Sequence, residues 1–124
     1  MKPTIIERRV DRPTDTYSAL TRALDCAVAR ADLDLVFVTD DYGMLVVGSS
    51  THLDVHELAA VTPIIGRGRA DADIKRAGKS RGFSVCELEV LGETLYVAAV
   101  GGDADHRSRE IGVSAAAAER ILAA

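Results

Sequence analysis

Two histidines and a glutamate near the middle of the chain could hold a metal ion. His52 and His56 are four residues apart, and Glu57 follows the second histidine. Histidines at this spacing on one helix face can bind zinc, but such a site needs at least a third protein ligand. Position 52 is expected to precede its helix, and the sequence offers no evident third ligand. We interpret both histidines as surface or capping residues, and we predict no bound metal or cofactor.

Three aspartates could bind a divalent cation or act as a pair of acid–base groups. Asp40 and Asp41 open the sequence DDYG, and Asp54 stands before an apolar helical pattern. A calcium loop needs further oxygen ligands at fixed positions, which this spacing lacks. Turn formation explains the first two residues, and helix capping explains the third. Because no Ser–His–Asp or Cys–His arrangement can be argued either, we predict no catalytic residues and no enzymatic activity.

A basic segment lies between residues 67 and 81. Its AGKS stretch at 77–80 is similar to the end of a phosphate-binding loop, but that loop also needs a glycine where this chain has Asp73. Six basic residues against two aspartates give the segment a net charge of +4, whereas the whole chain carries −4. This asymmetry could attract an acidic partner, and a solvated loop is the alternative. No aromatic residue accompanies the basic ones, so we predict no nucleic-acid binding.

Three helices that would position these groups are predicted from apolar residues spaced by three and four. The first begins at Thr14 or Asp15, either of which can cap it. Pro63 removes a hydrogen bond from the second, so we expect that helix to kink or end near Thr62. The third helix is expected to run from about Asp105 to Leu122. The three apolar stripes are Tyr17, Leu20, Leu24, Ala27, Val28 and Ala31; Val55, Leu58, Ala59 and Ile65; and Ile111, Ala115, Ala118 and Leu122.

Four strands are clear and form two hairpins. They comprise residues 35–38, 44–47, 83–90 and 94–100. The first hairpin turns at Gly43, which can adopt the positive φ of a tight turn. The last strand is apolar on both faces, which is typical of a central strand. Residues 66–82 have no clear pattern, and a loop, a frayed helix end and a short edge strand around Ile74 all remain open.

The composition indicates one small, soluble domain. The 124 residues are 48% hydrophobic and 27% charged, enough for one core and an ordinary surface. We predict an extended N-terminal arm at 1–13, which contains two prolines, and a single domain at 14–124. The longest apolar run, 95–100, is too short to span a bilayer and no secretory signal is evident, so we expect a cytoplasmic protein without membrane contact. We interpret Cys26 and Cys86 as reduced core thiols.

The order of these elements resembles that of the Roadblock (dynein light chain) family, bacterial type. The first hairpin, LDLVFVTDDYGMLVVGSS, precedes a helix that begins DVHELAAV, and FSVCELEVLGETLYVAAVGGD runs into the last helix. The resemblance covers about residues 15–123. It implies an α+β fold of the Roadblock or profilin-like type, an α/β sandwich in which one five-stranded antiparallel sheet carries helices. The family's third strand would fall within 66–82.

The resemblance also implies a dimer, because family members join their sheet edges and pack their second helices together. The unpaired backbone groups of an edge strand give the same expectation, since a second copy can satisfy them. We therefore predict a dimer of this chain with itself or with a paralogue. The candidate residues for the dimer or partner interface are His56, Ala60, Pro63, Ile64, Arg67, Arg69, Ile74, Arg76, Phe83 and Val85.

Two functions are compatible with this sequence. Roadblock proteins act as dynein light chains, as scaffolds for small GTPases or as bacterial regulators of Ras-like GTPases. The resemblance thus implies a non-catalytic adaptor or regulator with a Ras-like small GTPase as partner, to which Arg67, Arg69 or Arg76 could offer a guanidinium. The alternative is a small-molecule-sensing domain of profilin-like or PAS-like type, which would need an apolar pocket between sheet and helix.

Overall fold

A computed structural model describes residues 14–50, 55–68, 71–76 and 79–124 of the chain. The predicted arm at 1–13 lies outside these ranges, as do His52, Asp54 and Arg69. In chain order the elements are helix α1 (Thr14–Ala31), strands β1 (Leu35–Asp40) and β2 (Leu45–Gly48), helix α2 (His56–Gly68), strands β3 (Asp71–Arg76), β4 (Lys79–Val90) and β5 (Glu93–Val100), and helix α3 (Ala104–Ala123).

The five described strands form one antiparallel sheet in the order β2-β1-β5-β4-β3. The central strand β5 pairs with β1 through Leu95–Val100 and with β4 along its whole length. Its apolar residues are buried because helices cover both faces of the sheet at this strand. The predicted α+β fold, an α/β sandwich with one antiparallel sheet, is confirmed.

Helices α1 and α3 cover one face of the sheet. Leu24 of α1 and Leu122 of α3 are buried in one cluster with the side chains that β1 and β5 present to this face. The carboxylate of Glu110, itself buried, accepts hydrogen bonds from Arg30 at 2.8 Å (Nη2) and 3.1 Å (Nε). This two-pronged contact ties the end of α1 to α3 over 80 positions of sequence.

Helix α2 covers the other face of the sheet. Its Leu58 and Ala59 are buried in one cluster with Phe37 of β1, Phe83 of β4 and Tyr96 of β5. The rings of the two phenylalanines are stacked, with centroids 6.3 Å apart and planes 22° apart. These large rings occupy the space between α2 and the sheet, and they set the height at which α2 lies.

The prediction that α2 kinks or ends near Thr62 is wrong as regards the end of the helix. The helix continues through Pro63 to Gly68. Proline cannot donate a hydrogen bond to the preceding turn, but the buried Leu58 and Ala59 before it and the partly buried Ile65 after it keep the helix against the sheet. The hydroxyl of Thr62 donates to the carbonyl of Leu58 at 2.7 Å, so the side chain of this residue also bonds the helix backbone.

The unassigned segment at 66–82 contains a strand and the beginning of another. β3 includes Ile74 and pairs with β4 over all six of its residues, which places the family's third strand where the resemblance expected it. β4 begins at Lys79 rather than at Phe83. The edge-strand alternative is therefore confirmed, and the alternative of a plain basic loop is wrong.

One of the two cysteines is not in the core. Cys26 is exposed on α1, which corrects the interpretation of both residues as core thiols, whereas Cys86 is partly buried on β4 and packs against the α1/α3 cluster. Burial, together with the charge of Glu87, raises the pKa of the Cys86 thiol. In the described part of the chain, no helix combines the length and the hydropathy that crossing a bilayer requires.

Ser114 of α3 is the subject of a first prediction. Its hydroxyl is buried and has no hydrogen-bond partner among the described residues. Replacing it with alanine removes an unsatisfied polar atom and introduces a better helix former. We expect Ser114→Ala to raise the free energy of unfolding by up to about 1 kcal/mol in urea titrations. A loss of stability of similar size would show that the hydroxyl is satisfied in solution.

Candidate protein-interaction surface

The outer side of α2 carries apolar side chains that nothing in the described chain covers. Ile64 is 67% exposed and Val61 is 38% exposed, and Ala60 is exposed between them and the start of the helix. The inner side of the same helix is buried against the sheet, so these residues cannot turn inward without exposing the core. Exposed apolar residues that cluster on one helix face are typical of an interaction surface.

The turn between β1 and β2 extends this apolar surface. Gly43 has a φ of +84°, and it lies so close to α2 that a Cβ atom there would be 2.9 Å from the Cα of Ala60. On either side of this glycine, Tyr42 is 80% exposed and Met44 is 52% exposed. We name the set Tyr42, Met44, Ala60, Val61 and Ile64 the α2 patch.

The aspartates of this turn hold it in shape. The Oδ1 atom of Asp40 accepts hydrogen bonds from the backbone N–H groups of Tyr42 and Met44, both at 2.9 Å. The carboxylate of Asp41 accepts one from the Tyr96 hydroxyl at 3.1 Å. This confirms the predicted turn role of Asp40, whereas the Asp41 carboxylate joins the turn to β5. In the described ranges, no group of three histidine, cysteine or acidic side chains could hold a metal.

The predicted interface residues separate into exposed and buried groups. His56, Ala60 and Ile64 are exposed on α2, as an interface would require. Pro63, Phe83 and Val85 are buried instead, so the structure removes them from the surface of the subunit. Phe83 and Val85 lie on β4, whose outer edge pairs with β3 and whose face here is covered by α2.

The remaining interface candidates follow the end of α2 and the edge of the sheet. The backbone of Arg67 lies in the last turn of α2, and the backbones of Ile74 and Arg76 lie in β3. Lys79 and Ser80 of the AGKS stretch lie in β4, a strand, whereas a phosphate-binding loop must lead into a helix. Of the charged residues between 67 and 81, all but Arg69 therefore have their backbones in the end of α2, in β3 or in β4.

Two arginines hold β4, the strand with which β3 pairs. The guanidinium of Arg107, almost fully buried, donates to the Ser84 hydroxyl at 2.8 Å and to the carbonyl of Gly101 at 3.0 Å. Arg81 donates to the carboxylate of Asp34 at 2.8 and 2.9 Å, and this hydrogen bond raises the pKa of the Arg81 guanidinium. These contacts join β4 to α3 and to the residue before β1. They therefore hold in place the strand with which β3 pairs.

Sequence reasoning missed three members of the α2 patch. Tyr42 and Met44 were assigned to a turn and a strand, and Val61 was not assigned to any surface. The signal that could have found the first two is a pair of large apolar residues flanking a turn glycine, since a free turn tip is usually polar. Val61 follows Ala60 and precedes Ile64 by three positions, which places it on the same helix face.

Three solved structures show the same fold. Myxococcus xanthus MglB superposes with a TM-score of 0.61 and 13% identity, covering 90% of this chain and 92% of that one. The gliding protein MglB from Thermus thermophilus gives 0.63 and 13%, and an MglB with a tetrameric arrangement gives 0.63 and 14%; both cover 90% of this chain and 93% of theirs. No family model and no curated protein matches the sequence. These likenesses confirm the expected Roadblock-type fold.

Proposed function

We propose that this chain, a domain of Roadblock-type fold, is a non-catalytic adaptor or regulator that works as a dimer and binds a Ras-like small GTPase. The observation that carries the proposal is the α2 patch, an apolar surface that nothing in the described chain covers, in a sheet whose edge strand β3 has no second partner among the described strands. Both features are sites for another polypeptide, one through side chains and the other through backbone hydrogen bonds. The structural likeness to MglB, a gliding protein, supports the choice of a regulatory role.

A dimer is supported because a second copy would bury apolar side chains of α2 and pair the backbone of β3. Packing two α2 helices together would remove Ile64 and Val61 of both copies from water, and each fully buried side chain of this size contributes about 1.5–3 kcal/mol. Pairing β3 with another β3 would satisfy backbone groups that the sheet leaves open. One of the similar structures has a tetrameric arrangement, which is further support for self-association.

The GTPase partner is supported by charge and by arginine chemistry. A nucleotide-bound GTPase presents phosphates and developing negative charge, which a guanidinium stabilises when a partner supplies it. Residues 67–81 carry a net charge of +4 in a chain whose remaining residues are acidic overall. Arg67 and Arg76 are the described positions from which an arginine could be offered.

The sensing alternative is not favoured by the described contacts. A profilin-like or PAS-like sensor needs space between sheet and helix, and here Phe37, Phe83 and Tyr96 occupy the space under α2. A shallow groove does lie between the start of α1 and the end of α3. It opens at the rim of the fold, away from the core that a sensing pocket would occupy.

The test is GTP turnover by a Ras-like GTPase encoded near this protein, with and without the protein. We expect a change in turnover together with co-elution of the two proteins. If the chain supplies an arginine, Arg67→Ala or Arg76→Ala should reduce the stimulation roughly a thousandfold, the size of an arginine-finger effect. Arg22→Ala, at an exposed position of α1 on the opposite side of the sheet, is the matched control and should have no effect.

Other outcomes of this test would exclude parts of the proposal. Unchanged turnover and no co-elution would exclude the GTPase as a partner. Stimulation that persists when Arg67, Arg69 and Arg76 are all replaced by alanine would show that the chain acts by positioning groups of the GTPase instead of supplying an arginine.

A further inference from the structure

Two turns of the sheet lie side by side at one end of the molecule. Asp40 at the end of β1 pairs with Leu95 near the start of β5, so the turn after β1 and the turn before β5 leave the sheet at the same end. The first turn carries Tyr42 and Met44, and the second carries Leu91. Because β1 and β5 are neighbours, the centres of the two turns are roughly 10 Å apart, the spacing of two strands. One partner can therefore contact both turns.

Leu91 has a backbone conformation that leucine rarely adopts. Val90 and Glu93 are paired, so Leu91 and Gly92 form a two-residue turn, and their φ angles are +54° and +84°. Turns of this type favour Asn-Gly, because asparagine adopts a positive φ more readily than leucine does. The leucine is also 59% exposed, so it gains little from burial in the subunit. A strained backbone at an exposed apolar residue indicates a role outside the fold of the subunit.

The exposed apolar residues of the two turns lie in acidic surroundings. Glu87 is exposed on β4 and pairs with Tyr96, so it lies on the sheet face that carries α2, as does the residue two positions later. Residues 40–45 and 86–95 contain five acidic residues and no lysine or arginine. Apolar side chains flanked by carboxylates are complementary to a segment with apolar and basic residues. We name this set the turn surface: Tyr42, Met44, Glu87, Glu89 and Leu91.

The turn surface and the hairpin of β3 and β4 lie at opposite ends of the molecule. β4 spans twelve residues, or about 36 Å, from the backbone pair of Lys79 with Arg76 to the turn that contains Leu91. A GTPase that received an arginine from the basic segment would leave the turn surface accessible. The dimer contact through Val61 and Ile64 does not require Leu91 either.

We infer that the turn surface binds a second protein partner through an amphipathic segment that combines an apolar face with lysine or arginine. Leu91 and its apolar neighbours contact the apolar face, and Glu87 and Glu89 attract the cations. A membrane is disfavoured as the occupant because these carboxylates repel the anionic lipids of a cytoplasmic leaflet. This inference goes beyond the proposed function, since it requires neither the GTPase nor the dimer. A chain with a partner at each end joins the two, as an adaptor must.

A synthetic peptide tests the chemistry of the turn surface. The probe is an amphipathic helix of leucine and lysine with one tryptophan, whose fluorescence reports binding because the chain itself has no tryptophan. We expect a dissociation constant on the order of micromolar. A glycine–lysine peptide of the same charge, also with one tryptophan, lacks the apolar face and should bind at least about tenfold more weakly.

Leu91→Asn separates binding from stability. Asparagine before Gly92 suits this turn, so the urea midpoint of unfolding should rise. Loss of the leucine side chain should weaken binding of the leucine–lysine peptide roughly tenfold. Val113→Asn, which also replaces an exposed apolar residue but on α3, is the matched control and should leave peptide binding unchanged.

Charge reversal tests the acidic part of the turn surface. Because both carboxylates face the cations of the peptide, E87K/E89K should weaken its binding roughly tenfold. Glu119→Lys, at an exposed position of α3, is the control and should have little effect. If Leu91→Asn fails to fold, E87K/E89K still tests the inference.

The inference is overturned if Leu91→Asn or E87K/E89K binds the peptide like the original chain, or if a control on α3 weakens binding equally. A lower urea midpoint of Leu91→Asn would show that the leucine serves the fold. A monomeric Leu91→Asn in sedimentation equilibrium would assign the turn surface to a second copy, and binding to phospholipid vesicles in place of the peptide would assign it to a membrane. Either result would also overturn the inference, whereas GTP turnover tests the proposed function separately.

Discussion

Ile64→Asp is expected to convert the dimer into monomers at concentrations where the original chain is fully associated. The substitution removes an apolar side chain from the α2 patch of both copies and would bury two carboxylates without partners. Losing about 1–2 kcal/mol of burial per copy corresponds to a dimer weaker by roughly thirtyfold to several hundredfold. Because Ile64 is 67% exposed in the subunit, the free energy of unfolding should change by less than about 0.5 kcal/mol.

Val113→Asp is the matched control for this prediction. Val113 is also a β-branched residue exposed on a helix, but α3 lies on the opposite face of the sheet from the α2 patch. Analytical ultracentrifugation over a concentration series should show a dimer for Val113→Asp and a monomer for Ile64→Asp. Equal effects of the two substitutions would show that the α2 patch is not the contact surface.

Gly66→Ala and Gly112→Ala are expected to change stability in opposite directions. A Cβ atom at Gly66 of α2 would lie 2.6 Å from the Tyr96 ring and 3.0 Å from the Cγ1 atom of Val85. The ring is fully buried and hydrogen-bonded to Asp41, so it has no room to move away. Overpacking of this kind costs about 1–3 kcal/mol, which exceeds the helix propensity gained from alanine.

Gly112 of α3 has open space where its Cβ atom would be. Alanine there brings only its higher helix propensity, and we expect it to raise the free energy of unfolding by about 0.5–1 kcal/mol. Urea titrations of the two variants measure the contrast directly. Stabilisation by both substitutions would show that α2 lies further from the sheet than these contacts require.

The displacement of α2 by Gly66→Ala should also weaken the dimer. Helix α2 carries three of the five residues of the α2 patch, and Gly66 permits its close approach to Tyr96. A shift of the helix away from the sheet would alter the angle at which two copies meet. Gly112→Ala, far from the patch, should leave the dimer unchanged.

Most of the fold could be predicted from the sequence because its periodic signals are strong. The apolar residues of the α1 stripe and of β5 must be buried however these elements are arranged. Their spacing therefore predicts the helix and the strand. Pro63 misled the prediction for α2, because proline ends many helices that are not held by buried neighbours. β3 was only one of several alternatives, since an edge strand with four charged residues has no apolar alternation to reveal it.

The interaction surface was predictable only in part. His56, Ala60 and Ile64 could be placed on the exposed side of α2 from helical spacing alone. The contribution of Tyr42 and Met44 depends on Gly43 packing against Ala60, a contact between segments that sequence spacing does not reveal. Phe83 and Val85 were misplaced for the same reason, because their burial depends on β3 and α2 lying over them.

Sedimentation equilibrium of the unmodified chain tests most directly whether a second copy binds to it. At a protein concentration of tens of micromolar, well above typical dissociation constants of weak dimers, the measured mass should approach twice the 13.2 kDa of one chain. A mass of 13.2 kDa that persists up to about a hundred micromolar would contradict self-association through the α2 patch and β3.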